Sequence, residues 1–165
     1  MKYTRFEDLP VWKDAIELAV RSFALTARPC FRGDAGTRTQ LENAVLSISN
    51  NIAEGFERGT IQETLTFIYI ARGSAGEVRS MYRFLERASG FEDLRSEIPD
   101  LISRALSISR QLRAWADSMQ NSDIRGQRYL TDKSRRVEKQ TQEREEFIKE
   151  LERIQAENIA RTQKA

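Results

Sequence analysis

At 165 residues, 39% of them hydrophobic and 32% charged with a formal net charge of +2, the chain fits one soluble domain with a real core and a polar appendage, and leaves no room for a second globular domain. Three prolines and eight glycines leave few breaks between stretches rich in Ala, Leu, Ile, Arg, Glu and Gln, which predicts an all-α protein. Histidine is absent and Cys30 is the single cysteine, which removes the usual general base near neutral pH, the commonest metal ligand and any intrachain disulfide.

The first helix is predicted to begin near Asp8 or Pro10, a capping residue and a first-turn proline, and to stop at Pro29. Trp12, Ile16, Ala19, Phe23 and Ala27 form its expected buried stripe. Pro29 to Gly36 reads as a loop in which Cys30 is a small residue without an activating base. Thr37 or Thr39 is expected to cap a second helix, with a stripe through Leu41, Ala44 or Val45, Ile48, Ile52 and Phe56 and an end marked by Gly55 and Gly59. Thr60 and Glu63 match a capping box, so a third helix starts there and runs antiparallel to the second.

That third helix, to about Ala88, carries more apolar surface than one core uses. Leu65, Ile68, Ala75, Val78, Tyr82 and Leu85 trace one face, while Phe67, Ile70, Ala71, Met81 and Phe84 supply another. The surplus predicts a subunit interface. Gly73 and Gly76 each cost about 1 kcal/mol against alanine, which is accepted where backbones approach closely. After Ser89-Gly90, a fourth helix shows heptad spacing through Leu94, Ile98, Leu101, Ala105, Ile108, Leu112, Trp115 and Met119, broadened by Ile102 and Leu106. The expected architecture is an antiparallel up-down four-helix bundle over residues 1–120, followed by a charged, helical C-terminal extension over 121–165. In the extension, Val137, Thr141, Arg144, Ile148 and Leu151 follow a weak 4-3-4-3 rhythm.

Charge is unevenly placed. Residues 1–120 hold 16 Lys/Arg and 16 Asp/Glu, whereas 121–165 hold 11 and 9, so the excess lies in the tail. On the third helix Arg72, Arg79, Arg83 and Arg87 fall within an arc of about 80° and make a ridge. Arg104, Arg110 and Arg113 on the fourth helix, and Arg125, Arg128, Lys133, Arg135 and Arg136 in the tail, complete the candidate nucleic-acid-binding set. Glu54 and Glu77 lie close to apolar stripes and read as a buried polar clamp rather than an acid/base pair. No Walker loop or H-E-x-x-H helix is present, so neither catalysis, cofactor nor metal is expected. The opening residues lack an apolar h-region and no run is long enough to span a membrane, so a cytoplasmic protein is expected.

Four motifs together resemble a known family. Phe6-Glu7-Asp8-Leu9-x-Val11-Trp12-Lys13 comes first, followed by Gln40-Leu41 with Ala44 and Ser47-Ile48. Asn51-Ile52-Ala53-Glu54-Gly55 with Arg58, and Phe67-x-x-Ile70-Ala71-Arg72-Gly73-Ser74 with Glu77, complete the set. Their order and spacing, over about residues 6–120, resemble the four helix bundle protein family, also called the ribosomal RNA intervening-sequence proteins. That family is in turn similar to the accessory variability determinant of diversity-generating retroelements. The resemblance implies a homopentameric ring, nucleic acid (RNA or DNA) and a reverse transcriptase as partners, and purely structural roles for Asn51, Glu54, Gly55, Ser74 and Glu77. A protein-binding scaffold whose tail docks a partner is the competing expectation.

Overall fold

The computed structural model describes residues 3–121 together with 140, 143–144, 146–150 and 153. It contains four long helices, α1 (Pro10–Thr26), α2 (Ala35–Glu57), α3 (Ile61–Arg87) and α4 (Ile98–Gln120), and no strand among the described residues. Single 3₁₀ turns at Phe6–Asp8, Pro29–Phe31 and Glu92–Leu94 join or precede them.

Local chemistry sets the helix ends. Thr60 caps α3 as the motif predicts: its hydroxyl oxygen accepts from the Glu63 amide at 3.2 Å and its hydroxyl donates to the Glu63 carboxylate at 2.7 Å. For α2 the cap is Asp34, which accepts from the Thr37 amide, so the helix begins two residues before Thr37. Asp8 does not cap α1; it lies in the preceding 3₁₀ turn, and Pro10 at the first helical position sets the start. Leu94 likewise belongs to a 3₁₀ turn, and α4 starts at Ile98 with Pro99 in its first turn. Gly90, at φ 86°, reverses the chain before it.

The helices alternate in direction. Only residues 58–60 separate α2 from α3, and Ser47 meets Ser74 across that seam. Asp14 meets Gln111, Arg21 meets Asp100 and Arg28 meets Glu97, so α1 and α4 run antiparallel as well. One continuous core lies between the four, built on Leu18, Leu41, Ile48, Ile52, Ile68, Val78, Leu85, Leu101, Ile108 and Leu112.

The buried face of α3 holds Leu65, Ile68, Ala75, Val78, Tyr82 and Leu85, as its periodicity predicts, and Ala71 joins it. That of α4 follows the heptad rhythm, with Trp115 only half-buried. Of the expected α1 stripe Ala19 is buried, but the rest is displaced by one position. Val11, Ala15, Leu18, Ser22 and Leu25 face the core, whereas Trp12 and Ile16 are half-buried and Phe23 is 38% exposed. Trp12 packs edge-on against Phe6, ring centres 5.3 Å apart, at the rim of the core.

Residues 129–165 form a separate unit. Within it, helical geometry is described at 140, 143–144, 146–150 and 153, with those side chains exposed and Arg153 paired to Glu150 at 2.8 Å. Val137, Thr141 and Leu151 lie outside the described residues.

Candidate nucleic-acid interface

The arginines divide by what holds them. On α3, Arg83 pairs with Glu86 at 2.8 Å, while Arg72, Arg79 and Arg87 have no ion-pair partner among the described residues. On α4, Arg113 stands 3.5 Å from Asp117, and Arg110 again has no such partner. Gln120 donates to the Tyr69 hydroxyl at 2.9 Å across the α3–α4 seam. With that register and antiparallel helices, Arg110 falls at about the level of Arg79 and Arg113 at about that of Gly76. The α3 ridge and these two α4 arginines therefore share one side of the bundle. Gly76 lies within the ridge, and a side chain there would meet no atom within 4 Å, so the backbone is open to approach.

Arg104 is placed elsewhere. Its guanidinium donates to Asp100 at 2.9 Å, and Arg21 of α1 binds the same carboxylate. Hydrogen bonds from Arg21 and then Arg104 hold the Asp100 carboxyl below its ordinary value, and the Arg104 guanidinium is raised mainly by Asp100. A small polar recess lined by Asp14, Arg104 and Ser107 completes this α1–α4 seam. Arg125, Arg128, Lys133, Arg135 and Arg136 lie outside the described residues.

The quoted motif residues of α2 and α3 form a clasp. Ser74 donates to the Ile70 carbonyl, which leaves its oxygen to accept from Ser47 at 2.9 Å, and Asn51 donates to the Ser47 carbonyl at 2.7 Å and hydroxyl at 3.0 Å. Gly55 lets Phe67 come down on α2, since a Cβ there would stand 2.8 Å from the Phe67 Cβ. Arg58 covers the other part of that ring, 4.6 Å from its centre, and pairs with Glu54. Glu54 and Glu77 do not form a buried clamp: both are exposed, because each points outward from the seam that Ser47, Asn51 and Ser74 occupy.

The clasp and its spacing coincide with a family pattern. The model of the 23S rRNA-intervening sequence protein family matches residues 7–114. This chain belongs to that family. The match runs from the first 3₁₀ turn through the clasp and most of α4, and ends before the tail. A crystal structure of a protein of unknown function from the S23 ribosomal protein family of Bacteroides thetaiotaomicron is similar, with a TM-score of 0.58 and 18% identity. The alignment covers 64% of this chain and 97% of that one, and at this identity the likeness shows the fold alone. No curated protein matches the chain. Among the described residues, no group of three or more metal-ligating side chains occurs and no helix is long and apolar enough to cross a membrane.

Proposed function

We propose that this chain is a non-enzymatic accessory protein of the cytoplasm that binds nucleic acid, RNA in the first place, through the arginine side of α3 and α4. The observation that carries this reading is the presence of Arg72, Arg79, Arg87 and Arg110 on one side of a formally neutral bundle, without ion-pair partners among the described residues. An arginine committed to a carboxylate gives up part of its donor fork, whereas these four keep theirs for phosphate oxygens. Arg83 and Arg113 are held only by exposed pairs, which are weak enough for a phosphate to replace. The family name, which refers to an intervening sequence of 23S rRNA, agrees with an RNA ligand. The finer reading follows from the resemblance: a homopentameric ring that pools five such ridges into one field and serves a reverse transcriptase in a diversity-generating retroelement.

Binding of a labelled structured RNA, followed by fluorescence anisotropy across a salt series, tests this. Affinity should fall steeply with salt, and the R72A/R79A/R87A chain should bind weakly with a log–log salt slope lower by about 2–3. Arg104→Ala should leave the affinity near wild type, since its charge is engaged at the α1–α4 seam. Equal binding by wild type and the triple variant at low salt would remove the ridge reading. No RNA or DNA binding at any salt would leave the protein-scaffold reading instead.

A further inference from the structure

An aromatic side chain shares the arginine side of the bundle. Tyr69 stands about five turns before Arg87 on α3, which returns the two to the same angle on the helix. Arg72, Arg79 and Arg87 follow it at roughly 4.5, 15 and 27 Å along the helix axis. The ring is 43% exposed, and it is also held. Gln120 donates to its hydroxyl at 2.9 Å across the α3–α4 seam, a contact that uses the tip of the ring and neither of its faces. Among the described residues no other ring and no cation stacks on it. Beyond Tyr69 the helix surface is bare backbone. A Cβ at Gly73 or at Gly76 would meet no atom within 4 Å, so packing within the chain does not call for glycine, a poor helix former, at either place.

We propose that Tyr69 is a stacking platform for an unpaired base, and that the arginine side takes a single-stranded segment of RNA in preference to a duplex. This rests on the ridge reading above and names the form of nucleic acid the ridge accepts. The two forms differ in what they offer this residue. In a duplex the base faces are already stacked on one another, and the deep, narrow major groove of A-form RNA admits no side chain, so a tyrosine ring would meet only sugar and phosphate. In an unpaired segment every base has a free face for an aromatic ring, whatever the sequence, while the backbone follows the positive groups. A ring at one end of a line of arginines suits the second form and is more than phosphate contact needs. The bare backbone at Gly73 and Gly76 lets the nucleotides beside the stacked base lie close to the helix on the way to Arg79. The tether from Gln120 fixes the ring before binding, which reduces the ordering cost of the contact. A structured RNA meets the requirement in its loops and bulges.

Fluorescence anisotropy on the full chain tests the assignment with two labelled probes, an unstructured RNA strand of about ten nucleotides and an RNA duplex of equal length. Tyr69→Ala should lose about tenfold or more in affinity for the strand and bind the duplex as the wild type does. Its log–log salt slope should match the wild type's, because no charge is removed. Tyr69→Phe and Gln120→Ala break the tether and keep the ring, so both should stay within about fivefold of wild type. Tyr69 and Gln120 are exposed, and all three variants should keep the wild-type circular dichroism spectrum. Wild-type affinity of Tyr69→Ala for the strand, or an equal loss on both probes, would overturn the proposal. So would a loss in Tyr69→Phe as large as in Tyr69→Ala, which would make the tether responsible and not the ring. A wild type that binds the duplex as tightly as the strand, and loses both in R72A/R79A/R87A, sinks the single-strand assignment and spares the ridge. No binding of either probe at low salt removes the ridge and this inference with it.

Discussion

Gly55 is the residue on which the α2–α3 hairpin turns. A methyl group there would stand 2.8 Å from the Phe67 Cβ and 3.3 Å from the Thr64 carbonyl oxygen, neither of which a side-chain rotation moves away. Alanine normally gains about 1 kcal/mol over glycine inside a helix, but overpacking of this kind costs about 1–3 kcal/mol, so Gly55→Ala should be destabilising on balance. A urea titration comparing the two chains checks the sign. Sequence reading took Gly55 as a helix end, because a glycine four residues before another glycine looks like a terminator; its contact with Phe67 is visible only once the hairpin is closed. Tyr82 is the buried counterpart on the opposite diagonal. Ser22 spends its proton on the Leu18 carbonyl at 2.6 Å, so the Tyr82 hydroxyl donates to the Ser22 oxygen. Tyr82→Phe removes that donor and should cost about 1 kcal/mol.

Burial pushes the Tyr82 hydroxyl up to about 12. A raised folded-state value means that the native protein holds this proton where the unfolded chain releases it. The corresponding stability is therefore complete below about pH 10 and is lost as pH rises through about 12. Thermal melts between these limits should show a steeper decline for the wild type than for Tyr82→Phe. Equal slopes would mean that the phenol is wetter than its surroundings indicate.

Among the elements, α3 was the most legible and α1 the least. The α3 start is written in Thr60 and Glu63, and its buried face repeats Leu, Ile, Ala, Val, Tyr and Leu at helical spacing. Thr60→Ala should remove the cap and cost about 1 kcal/mol in a denaturant titration. In α1, two adjacent apolar faces compete. The larger residues, Trp12, Ile16 and Phe23, suggest one stripe, but the core takes Val11, Ala15, Leu18, Ser22 and Leu25, which include an alanine and a serine. That face carries Ser22, whose oxygen takes the Tyr82 hydroxyl, and a bulkier side chain at that position would displace the contact. Of the displaced residues, Ile16 and Phe23 line the groove beside Leu46, while Trp12 packs on Phe6. The second apolar face read on α3 is present in Ile70 and Phe84, while Ala71 faces the core. Sequence reading missed the apolar groove between α1 and α2, and the signal that would have found it is the uncharged run from Asn43 to Ala53.

At the scale of the molecule, polar links tie α1 to its neighbours on both sides. Asp100 of α4 accepts from Arg21 of α1 and from Arg104, and Glu42 of α2 accepts from the Thr26 hydroxyl of α1 and from Arg38. These contacts lower both carboxyls, for Asp100 chiefly through Arg21 and for Glu42 chiefly through Thr26, with desolvation opposing. Depressed folded-state values give stability that is present above the ordinary carboxylate range and lost as pH falls through the folded values. The melting temperature should decline on acidification below about pH 4, and Asp100→Asn should decline less, from a lower starting point. The exposed setting of Asp100 keeps this contribution small and sensitive to salt.

The amino-acid sequence alone determined that the chain is all-helical, where α2, α3 and α4 run to within a few residues, which face of α3 and α4 is buried, and that α3 carries a ridge of arginines. All of these depend on periodicity and end chemistry within a few turns, which local sequence encodes. Tertiary structure alone decided which of the two α1 faces enters the core, that Gly55 is a contact and not a stop, and that Arg21 of α1 joins Arg104 on the Asp100 carboxylate. It also decided that Glu54 and Glu77 face outward. Those outcomes depend on distances between helices, Arg21 to Asp100, Phe67 to Gly55, Tyr82 to Ser22, and a distance between two helices is set by the packing of all four at once.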